Sequence, residues 1–382
     1  MKTLIYKWKA YNYMDIIAGF DAAGIKVDII EHSFTDYDGD EEFKEMLLDR
    51  LKKTVYDFVF TVNYFGVISQ ACHEVGVPYV IWSCDNPLIS LYHKSAFYDE
   101  NRIFTFDKSN YYELKSMGIK NVWHLPLTAG FGRIDNAVKS AEHKYLHDIS
   151  FVGSLYEKNS YDAMESYMSD YLRGYLDGVI RAQMNISGGY IIDRMLTTDI
   201  LMEIETFFEL DKSKDSLSDL ALIFSTTVLG FKVAALTRVE ALNMLSKKFD
   251  VTLFSNSQTS QVPLCKSLGS VDYWTMLPIV FNNSRINLNF TIPNIKSGVP
   301  LRVWDIMASG GLCMTNFTAE LLEHFKPDED IVIFEDMEEL RDKCDYYLKH
   351  DEARERIARS GMEKVRDCHK MEDRINYMVQ KI

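Results

Sequence analysis

Residues 286–316 read INLNFTIPNIKSGVPLRVWDIMASGGLCMTN. The run Ile286–Phe290 has the apolar pattern of a buried strand, and TIPNIKSG reads as a loop. Pro300 suits the first turn of a helix, where its missing N–H would have no partner anyway. The helix is expected to run to about Ser309, where Gly310 and Gly311 stop it and LCMT opens the next strand. Strand, helix and strand in this order make an α/β unit.

The same alternation extends outward. In the first 150 residues the apolar runs TLIYKW, KVDIIEH, DFVFTVN, PYVIWS, RIFTF and VWHLPL are separated by amphipathic stretches such as YMDIIAGFDAAG and EEFKEMLLDRLKKT. Near-continuous apolar strands alternating with helices predict a parallel sheet covered on both faces, a Rossmann-like domain over residues 1–148. HDISFVGS begins a second such domain, expected over 149–382. About residues 155–229 are helical in pattern and rich in Tyr, Met, Leu and Asp, and they read as an insertion of two to four helices. With 382 residues, 47% of them hydrophobic, the chain is long enough for two cores. Ligands of open parallel sheets bind beyond the carboxyl ends of the strands, so two domains facing each other would create a cleft.

A formal net charge of −14 argues against a nucleic-acid partner or an anionic membrane, both of which need a basic face. No apolar run is read as spanning a bilayer or as a signal peptide, and a cytoplasmic location is expected. The six cysteines are scattered without metal-ligand spacing and read as reduced core thiols.

Several residues carry candidate chemistry. Backbone N–H groups from Ser297 and Gly298 to Arg302, at the positive end of a helix dipole, suit a phosphate, and Arg302 adds a planar fork for two of its oxygens. Asp305, one turn on, suits sugar or ribose hydroxyls. The plain alternative is a solvated Arg302–Asp305 pair worth about 0.2–0.5 kcal/mol. Gly153 and Ser154 end the strand that opens the second domain, where a backbone can approach phosphate or simply turn. Asn289 points either to the cleft or to helix caps, and Arg238, after Thr237 as N-cap, suits a second phosphate contact. In WSCDNP, Asp85 follows a buried strand and is placed to act as a base toward an acceptor hydroxyl, or else caps a turn before Pro87; His93 is the second candidate. DYDGD (36–40) is followed by Glu41 at the sixth place, where a calcium loop needs glycine, and reads as a solvated turn whose aspartates favour the next helix. SGGY (187–190) lacks the spacing of a dinucleotide fingerprint. The stripe of Tyr161, Met164, Tyr167, Met168, Tyr171 and Tyr175 reads as core, or as an acceptor platform or subunit interface. No metal site is read.

The stretch from INLNF to CMTN, followed by DIVIFEDMEELRDKCDYYLKHDEARERIARSG, resembles the donor-binding half of CgeB-like spore-maturation glycosyltransferases, and WSCDNP and SFVGS resemble the same group. The resemblance implies an α/β GT-B fold of two facing Rossmann-like domains. It also implies a nucleotide-sugar donor, most simply a UDP-sugar, with Asn256 after VTLF and Tyr273 in VDYW where such domains hold the nucleobase, transfer to a protein or glycan hydroxyl, and no required metal. Relatives place two glutamates around this helix; here Asp305 takes the second place and Ser297 stands at the first. Two rival classes are a nucleotide-sugar epimerase on the same fold and a binding module without turnover.

Overall fold

The computed structural model describes residues 1–34 and 39–382. Two compact units emerge, one formed by residues 1–130, 211–218 and 369–382, the other by 131–210 and 219–368. Both differ from the boundary expected at residue 148. Helix Phe131–Lys139 belongs to the second unit, where Asp135 accepts hydrogen bonds from both terminal nitrogens of Arg366 (2.5 and 3.1 Å). Arg366 holds that carboxyl below its usual range. Helix Met371–Val379 returns to the first unit and packs on helix Tyr13–Ala22 so closely that a Cβ on Gly19 would lie 2.5 Å from Met371 Cγ.

The first unit is built on six parallel strands: β1 (Lys2–Tyr6), β2 (Lys26–Ile30), β3 (Phe58–Val62), β4 (Tyr79–Ser83), β5 (Asn101–Thr105) and β6 (Val122–His124), in the order β2-β1-β3-β4-β5-β6. Every residue of β3 and β4 is buried, as an apolar run covered on both faces requires, whereas the edge strand β2 is partly exposed. The order reverses between β1 and β3, which makes the carboxyl ends of these two strands the topological switch point. Residues 211–218, a strap from the insertion, pair with the first unit: Leu217 N donates to Tyr92 O (2.6 Å), Lys94 N donates to Asp215 O (2.9 Å), and the Lys94 ammonium lies 2.9 Å from the Asp215 carboxylate. Of DYDGD, Asp40 caps the following helix by accepting from Phe43 N (2.9 Å), while Asp36 and Asp38 lie outside the described residues.

The second sheet contains β7 (His147–Val152), β8 (Val251–Phe254), β9 (Lys266–Ser267), β10 (Ser284–Asn289), β11 (Cys313–Asn316) and β12 (Val332–Phe334), all parallel in the order β12-β11-β10-β7-β8-β9. Its switch point lies between β7 and β10. Helix Leu301–Ala308 joins β10 to β11 as expected, with Pro300 at its N-cap. It ends at Gly310, whose φ of +78° favours glycine, and at Gly311, where a Cβ would meet Phe281 O at 2.5 Å.

Between β7 and β8 lies the helical insertion with its own core of Leu172, Leu176, Ile180, Ile200, Ile204 and Phe224. The Tyr–Met stripe divides: Tyr161 and Met168 are buried, whereas Tyr167 and Tyr171 are about 70% and 69% exposed. The insertion ends in one continuous helical run, Leu220–Ser246, capped by Asp219, which includes a π-helical stretch over Phe224–Gly230. The run is long and apolar enough to cross a membrane, which corrects the expectation that no segment approaches that length; 56% of its most apolar window is buried inside the protein. It also removes the expected helix start at Thr237, because Arg238 sits well inside the run. The helix continues because its apolar face, including Val233, Ala234, Ala241, Leu242 and Leu245, stays buried throughout.

Candidate functional site

At the switch point of the second sheet, Arg238 spans the carboxyl ends of β7 and β10. Its Nη1 donates to Ser154 O (2.7 Å) and its Nη2 to Phe290 O (2.9 Å). Its guanidinium lies 4.6 Å from the Tyr156 ring centroid and 5.4 Å from that of Phe151. Tyr156 itself has φ +54°, a backbone region that an aromatic residue rarely adopts. Arg238 is only 7% exposed, yet among the described residues no carboxylate pairs with it and its Nε has no hydrogen-bond partner. Burial lowers its pKa, the Tyr156 hydroxyl opposes that shift and the charge of Arg302 adds to it. A guanidinium nevertheless remains charged at neutral pH. A buried cation without an anion carries an uncompensated desolvation cost of several kcal/mol, roughly.

Arg238 lines a cavity of about 360 Å³ beyond the ends of β10, β11 and β12. Thr291 and Asn316 clamp its floor: Thr291 N donates to Asn316 Oδ1 (2.6 Å) and Asn316 Nδ2 donates to Thr291 O (3.2 Å). Thr318, 3% exposed, offers a hydroxyl with no hydrogen-bond partner. The opposite wall is the insertion loop 183–189, where Gly188 has φ +66° and lies so close to Phe317 that a Cβ would approach its ring to 2.5 Å. The SGGY stretch is thus a wall of this cavity. Glu335, Asp336 and Glu338 stand on its exposed rim. Sequence reading missed Thr291, Asn316 and Thr318; the available signal was a polar residue directly after each apolar strand.

The other candidates are placed as follows. Gly153 N donates to Phe254 O (3.1 Å), and Ser154 Oγ accepts from Tyr156 N (3.0 Å). Asn256 is exposed in the loop after β8. Asn289 is buried, its Nδ2 donating to Thr291 Oγ1 and Thr315 Oγ1 (both 2.9 Å). Ser297 Oγ donates to Glu320 Oε1 (2.7 Å), and Glu320 N donates to Ser297 O (3.0 Å). The carboxylate that Ser297 meets is therefore the chain's own Glu320, 1% exposed. Gly298 is buried and Arg302 half-buried, its guanidinium 5.6 Å from the Phe281 ring.

Asp305 forms neither the open acceptor for sugar hydroxyls expected of it nor the solvated pair with Arg302 that was the alternative. It is 3% exposed, and Arg133 lies 3.3 Å from its Oδ1. Arg133 also donates to Tyr273 O (2.9 Å) and lies over the Tyr273 ring at 4.2 Å, so Tyr273 belongs to the same lock. Arg133→Met leaves the Asp305 carboxylate buried without this cation and lowers stability by about 3 kcal/mol, read as a shifted urea midpoint. A midpoint unchanged from wild type would show that the pair contributes nothing.

In the first unit, Asp85 is exposed in the loop after β4. Its Oδ2 accepts from Asn63 Nδ2 (2.6 Å), and its carbonyl accepts from Ser83 Oγ (2.7 Å). Burial, with the Asp85 charge adding to it, pushes the neighbouring Cys84 thiol up to about 12, which keeps it protonated. His93 is 3% exposed and caps the short helix Lys94–Phe97, accepting from Ser95 N at Nδ1 (3.2 Å) with Ser95 Oγ 2.6 Å away. That placement gives it a local structural role. Among the described residues no cluster of three or more metal-ligating side chains occurs.

Comparison with known proteins follows this geometry. Residues 238–380, just over a third of the chain, match a family model described as glycosyl transferase-like, and the match begins at Arg238. No curated protein matches. Among solved structures, Anabaena Alr3699/HepE in complex with UDP and glucose is 8% identical with a TM-score of 0.56, covering 100% of both chains. Sucrose-phosphate synthase from Thermosynechococcus elongatus is 11% identical with a TM-score of 0.53, covering 100% of this chain and 98% of that one. T4 phage BGT in complex with its UDP-glucose substrate is 12% identical with a TM-score of 0.51 over the same shares. The fold is the GT-B arrangement of two parallel six-stranded sheets.

Proposed function

We propose that the protein is a glycosyltransferase that moves a sugar from a nucleoside diphosphate to a hydroxyl group. The observation that carries this reading is Arg238, a buried guanidinium that no carboxylate among the described residues pairs with, lining a cavity beside the switch point, the place where open α/β sheets bind ligands. A diphosphate supplies the missing negative charge. As the anomeric carbon–oxygen bond breaks, charge develops on that diphosphate, and a preorganised guanidinium in a dry site stabilises it without reorganisation. The guanidinium fills the electrostatic role that a metal ion plays in other transferases. Asp85 serves as the base toward the acceptor hydroxyl.

A UDP-sugar is the donor this reading favours, since the solved structures similar to this chain include complexes with UDP and UDP-glucose. The CgeB-like resemblance favours a protein or glycan acceptor. Six free cysteines suit a reducing, cytoplasmic setting, and the exposed Tyr167, Tyr171 and Met202 of the insertion suit a subunit interface.

Calorimetry with UDP, GDP and CDP, followed by product analysis of the preferred nucleotide-sugar with and without added acceptors, tests the proposal. UDP is expected to bind most tightly, and UDP-glucose to yield UDP and transferred sugar. Binding of none of the three removes the donor site. An epimerised sugar from donor alone replaces transfer with epimerisation.

A further inference from the structure

We infer that Asn63 is a positioning residue that holds the Asp85 carboxylate for proton transfer, an inference resting on the reading of Asp85 as the base. Asn63 directly follows β3, at the switch point of the first sheet, and is 4% exposed. Its φ is +64°, in the left-handed region, where asparagine is among the few non-glycine residues tolerated, at a cost of roughly 1 kcal/mol. Glycine would meet that backbone requirement with less strain, so what asparagine adds is its side chain.

Every polar atom of Asn63 is committed. Its N–H donates to Trp82 O (3.0 Å) and its carbonyl accepts from Thr61 Oγ1 (2.5 Å). Its Oδ1 accepts from Cys84 N (2.9 Å), and its Nδ2 donates to Asp85 Oδ2 (2.6 Å). One amide thus fixes the backbone and the side chain of the loop after β4 together. Cys84 is tied in turn to Asn12, whose Nδ2 lies 3.3 Å from its Sγ.

Asp85 shows the complementary state. One carboxylate oxygen is held by Asn63, while among the described residues none donates to Oδ1 and no lysine, arginine or histidine pairs with the group. An exposed aspartate on a loop would otherwise sample several rotamers; the bond from Asn63 selects the one in which Oδ1 is presented outward. In the transfer step the acceptor O–H proton moves to Oδ1 and the acceptor oxygen forms the new bond to the anomeric carbon. The bond from that carbon to the diphosphate oxygen breaks, and its electron pair leaves on the diphosphate.

The test is a double-mutant cycle on UDP release from UDP-glucose, with water as the acceptor. Asn63→Gly keeps the left-handed backbone and loses both side-chain bonds. Asn63→Asp keeps an acceptor for Cys84 N but turns a second carboxylate toward Asp85. Each is expected to lower kcat at least tenfold, Asn63→Asp more than Asn63→Gly, with the UDP Kd within twofold of wild type. In an Asp85→Asn background, Asn63→Gly is expected to change kcat less than twofold, because the group it positions is already gone. Equal losses in both backgrounds, or an unchanged kcat in the single variants, overturn the inference. If Asp85→Asn itself turns over at the wild-type rate, or the wild-type chain releases no UDP, the base reading falls and takes this one with it.

Discussion

Arg238→Met is expected to weaken UDP binding at least 100-fold while leaving the unliganded protein close to wild-type stability. The side chain touches two carbonyls and two aromatic rings but no carboxylate. Removing it costs two charge-assisted hydrogen bonds, each about 1.5–3 kcal/mol, and removes a buried charge whose desolvation penalty is of comparable size. The two terms largely offset, and methionine fills similar space. Nothing offsets the lost attraction for a diphosphate, so the Kd for UDP is expected to rise at least 100-fold, about 2.7 kcal/mol. Thermal shift reads both quantities at once. UDP at 100 times its wild-type Kd stabilises the wild-type protein by about 2.7 kcal/mol and the variant by at most about 0.4 kcal/mol. A variant that retained the ligand-induced shift would place the diphosphate elsewhere, with Arg302 and the start of helix Leu301–Ala308 the next candidate.

Asp85→Asn is expected to lower kcat for sugar transfer by a factor of about 10² to 10⁴, the usual contribution of a general base. Its isosteric amide still accepts the bond from Asn63 Nδ2 at Oδ1, so the loop after β4 keeps its shape. Asp85 belongs to the first unit and Arg238 to the second, so the UDP Kd should stay within twofold. A kcat within twofold of wild type would remove Asp85 from the chemistry. An equal loss in kcat and UDP affinity would point to a change in fold.

The strand cores and the turn at Gly310–Gly311 were legible because they depend on local pattern. Apolar runs bounded by polar turns matched β1 to β6 to within a few residues, and Ile286–Phe290 matched β10 nearly as closely. What escaped depends on partners remote in sequence. Asp305 reads as an acceptor for sugar hydroxyls, or as half of a solvated pair with Arg302, until Arg133, from a helix before β7, pairs with it. Ser297 reads as an empty anion site until Glu320 arrives from beyond β11. Arg238 reads as the start of a helix because Thr237 resembles a cap; only the continuous Leu220–Ser246 run, with one face buried along its length, shows that the helix passes through it. Asn63 gave no signal, since a left-handed asparagine looks the same in sequence as any residue after a strand.

The return of helix Met371–Val379 onto helix Tyr13–Ala22 fixes an order of events during synthesis. The face of the first unit that this helix covers is made early, yet its cover is translated only after the whole of the second unit. At 5–20 residues per second the delay is on the order of 20 to 70 s. During that interval Gly19 and the helix face around it lack their final packing against Met371 and Ile375, so the second unit, though later in the chain, is the one a ribosome can finish first.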